Sequence, residues 1–414
     1  MQALPFSCVR PAPEHAAEVA ALPYDVFDRA EAAAYVRTRP LSFLNIDRPE
    51  TQFGPEQDMY APEVYERARE LFEERVADGT YVTDAAQAYY LYELTQGGRS
   101  QTGLVCCCSV DEYLDGTIKR HENTRPEKER DRIAHIEALG AQTGPIFLTY
   151  RDSMAADVII GAAKGATPLY DFTDDEGVRQ RVWRVARPEA VEALKATFEA
   201  IPCAYIADGH HRAASAVRVA ERMRAANPGF TGSEPYNRFL AVLFPASQLE
   251  ILAYNRVVSD LAGRTPGQFV EALGESGFEA ERAGGAVVPE VAGTFGLYVG
   301  GAWWLVRMGE ALAAEVAAAG PVGSLDCSML QDRVLEPLLG IHDPKSDPRI
   351  AFVGGIRGTD ELERRAGAEG AAFSMYPTSV GQLLAVADAG LLMPPKSTWF
   401  EPKLRSGLFV HRIR

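Results

Sequence analysis

The stretch YIADGHHRAASAVRVAERM, Tyr205 to Met223, constrains this chain more than any other. A short β-rich segment, CAYIADG, runs into an alanine-rich stretch with helical spacing of its apolar residues. That order predicts a strand, a tight turn at Gly209, and a helix. The backbone N–H groups just after Gly209 then project from a helix N-terminus, where the peptide dipoles converge. Such a terminus attracts an anion before any side chain contributes. His210, His211 and Arg212 add donors at the same mouth. Arginine can hold two phosphate oxygens at once, and a histidine can donate one N–H to a third. Glycine lets a bulky anion approach the backbone closely. Cations at a helix N-terminus oppose the helix dipole, so this terminus is organised for a ligand rather than for helix stability.

Two adjacent histidines can also coordinate a metal. No third ligand lies nearby in sequence, and neither HExxH nor CxxC occurs among the seven histidines and six cysteines. No dedicated metal site is therefore expected. Cys106, Cys107 and Cys108 are consecutive, so in a strand they point to alternate faces. Buried, reduced thiols are the expectation for all six cysteines.

Elsewhere the pattern is mixed. PEVYERARELFEERVADG spaces Val64, Ala68, Leu71, Phe72 and Val76 on one helical face and ends at Gly79. AYYLYELTQGGRSQTGLVCCCSV predicts a hairpin, with Tyr89, Tyr90 and Tyr92 packing in a sheet rather than stacking on bases. PLYDFTDDEGVRQRVWRV predicts a second hairpin. The segment RPEKERDRIAHIEALG has helical character from about Glu127, yet carries charges where an apolar stripe belongs. Helices and hairpins alternate without the regular order of a doubly wound sheet. The expected fold class is α+β with mixed sheets. A composition shift after Asp260 suggests domains at residues 1–260 and 261–414.

IADGHHRAASA resembles the phosphate-binding signature of the ParB/sulfiredoxin superfamily, and its doubled histidine resembles the free serine kinases. Those kinases carry a His-Glu pair upstream, which KRHENTR supplies as His121 and Glu122. GPIFLTY resembles the strand between the two signatures. With LPYDVFD near the start and MPPKSTWFEPKLRSGL near the end, the chain resembles a bacterial domain-of-unknown-function family, number 1015, related to those kinases. The resemblance runs from about Leu22 to Leu408. It implies a ParB/sulfiredoxin-like nucleotide-binding core, with an elaborated N-terminal region and a C-terminal α+β domain. Arg151 to Arg184 reads as an insertion into that core, carrying the second hairpin.

The resemblance also implies phosphoryl transfer from ATP or ADP, with Mg²⁺, to a small hydroxyl acceptor, free L-serine first. Asp208, Gly209, His210, His211 and Arg212 are the expected nucleotide-binding residues. Glu122 is the expected proton acceptor, and His211 the second catalytic residue. His121, Thr124, Arg125, Tyr24, Asp25 and Lys396 are the expected acceptor-side residues. For Arg125 and Arg132, ion pairs within RPEKERDR fit the sequence equally well. Asp208 is a candidate oxygen ligand or a partner for a histidine. The alternative reading is a nucleotide-dependent regulatory switch without turnover. Sulfiredoxin-like chemistry is disfavoured, because it calls for a cysteine within the phosphate-binding turn, where His210 and His211 stand. A net charge of −15 disfavours nucleic acid as a partner. No apolar run approaches a membrane span, and the first residues lack a signal-peptide pattern. A cytoplasmic protein is expected, with a homodimer allowed.

Overall fold

The computed structural model describes residues 1–414. The chain forms two compact units, Met1–Leu249 with Pro402–Arg414, and Glu250–Glu401. In chain order the strands of the first unit begin with β1 (Ala3–Leu4), β2 (Cys8–Pro11), β3 (Tyr81–Thr83) and β4 (Tyr89–Gln96). Next come β5 (Arg99–Ser109), β6 (Ile118–Lys119), β7 (Ala141–Gln142) and β8 (Ile146–Tyr150). The series ends with β9 (Tyr170–Thr173), β10 (Arg179–Val185), β11 (Ala204–Asp208) and β12 (Arg238–Pro245). Five helices matter below: α1 (Pro62–Ala77), α2 (Pro126–Leu139), α3 (Met154–Ala163), α4 (Pro188–Glu199) and α5 (His210–Ala226).

The main sheet has nine strands in the order β6-β11-β8-β12-β5-β4-β10-β9, with β1 added beside β5. β6 and β8 run parallel to β11 and β12 respectively, while the other pairs are antiparallel. The sheet is mixed, as expected. The β4–β5 hairpin turns at Gly97 and Gly98, both at positive φ (57° and 80°), which suits the right-handed twist of a two-residue turn. Tyr89, Tyr90 and Tyr92 are all buried, and Tyr90 and Tyr92 pack on Phe409, each with ring centroids 5.5 Å apart. They are sheet core rather than a stacking platform. Five of the six cysteines are buried and all are free thiols.

The second hairpin, β9–β10, is part of the main sheet, since β10 pairs with β4 over seven residues from Arg179↔Thr95 to Val185↔Tyr89. The expected insertion also holds α3, which the sequence pattern did not show. Met154 and Val158 are exposed on it while Ala156 and Ile160 are buried. Apolar residues on both faces erase the periodicity that marks a helix.

α2 explains its own charged sequence. Its buried residues include Asp131, Arg132 and His135 as well as Ile133, Ile136 and Leu139. Tyr65 on α1 donates a hydrogen bond to Asp131 Oδ1 at 2.9 Å, and Arg132 pairs with Asp131 Oδ2 at 2.9 Å. The helix therefore buries a polar face whose charges are mutually satisfied.

The last residues return to the first unit. Val410–Arg412 pairs with β2 on one side and β7 on the other, completing a four-stranded sheet with β3. Leu408, Phe409 and Val410 are fully buried. The expected division after Asp260 differs from this arrangement. The main chain leaves the first unit at Leu249, and Pro402–Arg414 belongs with it. The second unit has a six-stranded antiparallel sheet in the order Phe278–Arg282, Ala302–Met308, Thr294–Val299, Ala371–Met375, Tyr254–Val258, Ile350–Gly354. Its core includes Phe269, Phe295, Phe373 and Leu330.

Candidate functional site

Strand pairing assembles the site. β6 and β11 are parallel, with Ile118 opposite Ala204 and Lys119 opposite Tyr205. Parallel neighbours end at the same edge, so the residues after Lys119 emerge beside those after Asp208. That brings KRHENTR and DGHHR together although they are far apart in sequence.

Gly209 is the N-cap of α5 with φ 93° and ψ 30°, in the left-handed region. A Cβ there would lie 3.0 Å from Nε and Nη2 of Arg212. Glycine is thus required twice, by its backbone angle and by the close passage of a guanidinium. The first helical bond runs from Ala213 N–H to the Gly209 carbonyl at 2.9 Å. The amides of His210, His211 and Arg212 precede it and have no partner within the helix.

The side chains of the motif divide. His210 turns inward, 5% exposed, with its ring perpendicular to that of His121 and the centroids 4.5 Å apart. Its Nδ1 lies 4.0 Å from Oε2 of Glu122, a carboxylate about one-third exposed. His211 stays at the mouth, where its Nε2 accepts a hydrogen bond from the Arg125 backbone N–H at 3.0 Å. An accepting Nε2 places the proton of a neutral imidazole on Nδ1. Arg212 folds under the turn. Its Nη1 donates to the Pro145 carbonyl at 2.6 Å, and Nη2 lies 3.4 Å from Asp208 Oδ2. The expected two-oxygen grip on phosphate is not its geometry. Arg212 instead braces the turn against the start of β8, and a Cβ added at Gly144 would lie 3.4 Å from its side chain.

Electrostatics separate the two histidines at the base from ordinary surface imidazoles. Burial pushes the His121 pKa down to about 4, against opposing influences from the Asp208 carboxylate and the Ile206 backbone. Burial first, then repulsion from His121, holds His210 well below the usual range. Both are neutral imidazoles near pH 7. Neither His121 nitrogen has a hydrogen-bond partner of normal geometry, nor does Nε2 of His210. Candidate ligand atoms of His121, Glu122 and His210 all lie within 4.8 Å of one another. Strand pairing, not sequence proximity, brings His121 and Glu122 to His210, and His211 is not part of this group.

The remaining expected residues are scattered. Thr124 donates to Glu129, so its hydroxyl is engaged beside α2. Arg125 contributes its backbone, while its side chain is exposed. Tyr24 is buried under the Arg132 guanidinium, 3.9 Å from the ring centroid. Burial raises the Tyr24 phenol well above its usual range. Tyr24 and Arg212 line one small cavity of about 30 Å³, shared with Asp47, Arg132 and Thr143. That is room for about one water molecule. Asp25 is exposed. Lys396 lies in the second unit, with its ammonium 5.5 Å from the centre of the Tyr254 ring.

One residue gains a place that the sequence reading left open. Lys403 Nζ lies 3.7 Å from Asp208 Oδ2, so Asp208 sits between Arg212 and Lys403. The stretch around Lys403 carries part of the family resemblance, but nothing local in the sequence assigns it to the turn.

Residues 3–328 match the family described as "Protein of unknown function (DUF1015)". The chain belongs to that family. Solved structures similar to this DUF1015 chain include a variant free serine kinase in complex with ADP. It is 14% identical, with 72% of this chain and 87% of that chain covered and a TM-score of 0.36. A free serine kinase in complex with AMP is also 14% identical, with coverage of 72% and 86% and a TM-score of 0.35. SbnI with a C-terminal truncation, from Staphylococcus aureus, is 13% identical, with coverage of 72% and 84% and a TM-score of 0.37. No curated protein is matched by the chain. No helix is long and apolar enough to cross a membrane.

Proposed function

We propose that this protein is a phosphotransferase that moves a phosphoryl group from ATP or ADP to the hydroxyl of a small acceptor, with free L-serine the leading candidate. In this reading the first unit is a nucleotide-binding core of the ParB/sulfiredoxin type. The amides at the mouth of α5 receive the phosphates, and His211 donates from Nδ1. Arg212 holds the turn in shape from beneath. Asp208 is the oxygen ligand this mouth offers a magnesium ion arriving with the nucleotide, which would neutralise phosphate charge.

Glu122 takes the proton. The acceptor oxygen forms a bond to the terminal phosphorus, and the bond from that phosphorus to the bridging oxygen breaks. The acceptor proton passes to the Glu122 carboxylate, and the nucleotide leaves one phosphate shorter. Most of the rate enhancement in such reactions comes from alignment and charge neutralisation, which a rigid turn and a nearby carboxylate provide.

The observation that carries this reading is the placement of the Glu122 carboxylate 4.0 Å from His210, the first residue of the phosphate-facing helix. Serine as acceptor rests on the sequence resemblance. The test is incubation with magnesium, ATP or ADP, and a panel of amino acids and hydroxy acids, followed by mass spectrometry. Phosphoserine as the main new product supports the reading. Phosphorylation of a different hydroxyl compound would replace serine, and no phosphorylated product with any acceptor would refute phosphotransfer.

A further inference from the structure

We propose that His121, Glu122 and His210 form a site for one divalent transition-metal ion, with Zn²⁺ the ion the ligand set fits, beside the phosphate-binding turn. The inference goes beyond the proposed function. What the ion does there rests on that reading, but its presence does not.

Two observations converge on the site. The candidate ligand atoms lie within 4.8 Å of one another. A tetrahedral ion with bonds of about 2.1 Å separates its ligands by about 3.4 Å, so small side-chain rotations close the set. His121 and His210 are 1% and 5% exposed, and three of their four ring nitrogens are buried without a hydrogen-bond partner of normal geometry. Buried polar atoms are nearly always satisfied, and a bound ion satisfies them here.

The donor set selects the class of ion. Two imidazoles and one carboxylate suit zinc and its neighbours, whereas magnesium prefers an all-oxygen shell. Three protein ligands also leave a coordination position open, the pattern of a catalytic rather than a structural zinc site. Asp208 acts electrostatically on both rings, so it supplies an outer anion that favours a cation between them. Arg120 and His211 act in the opposite sense on His210. When bound, the ion would occupy the Glu122 carboxylate, so zinc would compete with that group's part as proton acceptor in the phosphotransferase reading.

The test is calorimetric titration of the chelator-stripped full chain with ZnCl₂ alone and with MgCl₂ alone, in the absence of nucleotide. The expected result is one Zn²⁺ per chain and no comparable magnesium binding. His121→Gln and His210→Gln should each weaken zinc binding by at least about 100-fold. His342→Gln, an exposed histidine in the second unit, should leave it unchanged. Should a buried-histidine variant fail to fold, Glu122→Gln, at a partly exposed position, carries the same expectation. Zinc binding no tighter than magnesium, or unaffected by all three site variants, overturns the inference. ADP titration in excess chelator separates the two readings. ADP binding without zinc binding refutes the metal site alone, and zinc binding without ADP binding refutes the nucleotide reading alone.

Discussion

His210 Nδ1 and Glu122 Oε2 lie 4.0 Å apart, across a seam between two parallel strands that end at the same edge of the sheet. The seam is narrow, because β6 is only two residues long. Its register sets which residues meet. Ile118 opposite Ala204 carries Glu122 to the level of Asp208, directly before the turn. A shift of one residue would move the start of the His121–Glu122 segment by about 3.3 Å along the strand direction.

Gly209→Ala tests the turn. An alanine at φ 93° costs about 1–2 kcal/mol in backbone strain, and its Cβ would press on Arg212. The expected outcome is a modest fall in melting temperature with nucleotide affinity weakened by at least about 10-fold, read by ADP titration. Unchanged affinity in a folded variant would show that the turn does not touch the nucleotide.

His411 gives a pH dependence. Its ring is buried beside Phe6, with Nε2 3.0 Å from the Pro235 carbonyl, and burial pushes its pKa down to about 4, with Arg238 adding to the effect. The unfolded chain protonates near the ordinary value of about 6.5, so it binds a proton that the folded chain refuses. This contribution to stability is fully present above that value and is lost as pH falls towards 4, by on the order of 3 kcal/mol. Denaturant midpoints of the wild type and His411→Gln, measured from pH 7 to pH 4, should converge as pH falls. Parallel curves would mean that His411 does not titrate differently on folding.

Deletion of Pro402–Arg414 tests the division of the chain. The segment buries Leu408, Phe409 and Val410 completely and supplies the strand between β2 and β7. Burying a large apolar side chain contributes about 1.5–3 kcal/mol, and whole domains are stable by only about 5–15 kcal/mol. Calorimetry should show that the first unit's unfolding transition is lost or strongly lowered. An unchanged transition would restore the C-terminal residues to a separate domain.

Local features were readable in the sequence. The Gly97–Gly98 hairpin, α1 and the Gly209 turn each depend on neighbours within one helical turn or one hairpin. The features that complete the site depend on distant pairing. Nothing near His121 in the chain reveals His210, and nothing near Lys403 reveals Asp208. α2 was blurred because Asp131, Arg132 and His135 occupy core-facing positions, where a sequence pattern expects apolar residues. α3 was missed for the opposite reason, with apolar residues such as Met154 and Val158 facing outward. The return of Val410 to β2 was hidden by the length of chain between them.

The central claim is that Glu122 accepts a proton while the turn at Gly209 holds the nucleotide. The most direct measurement compares wild type and Glu122→Gln for ADP or ATP affinity and for the rate of phosphoserine formation in the same preparation. The account predicts affinity within about two-fold and a rate lower by roughly 100- to 10,000-fold. A rate equal to the wild type would contradict it.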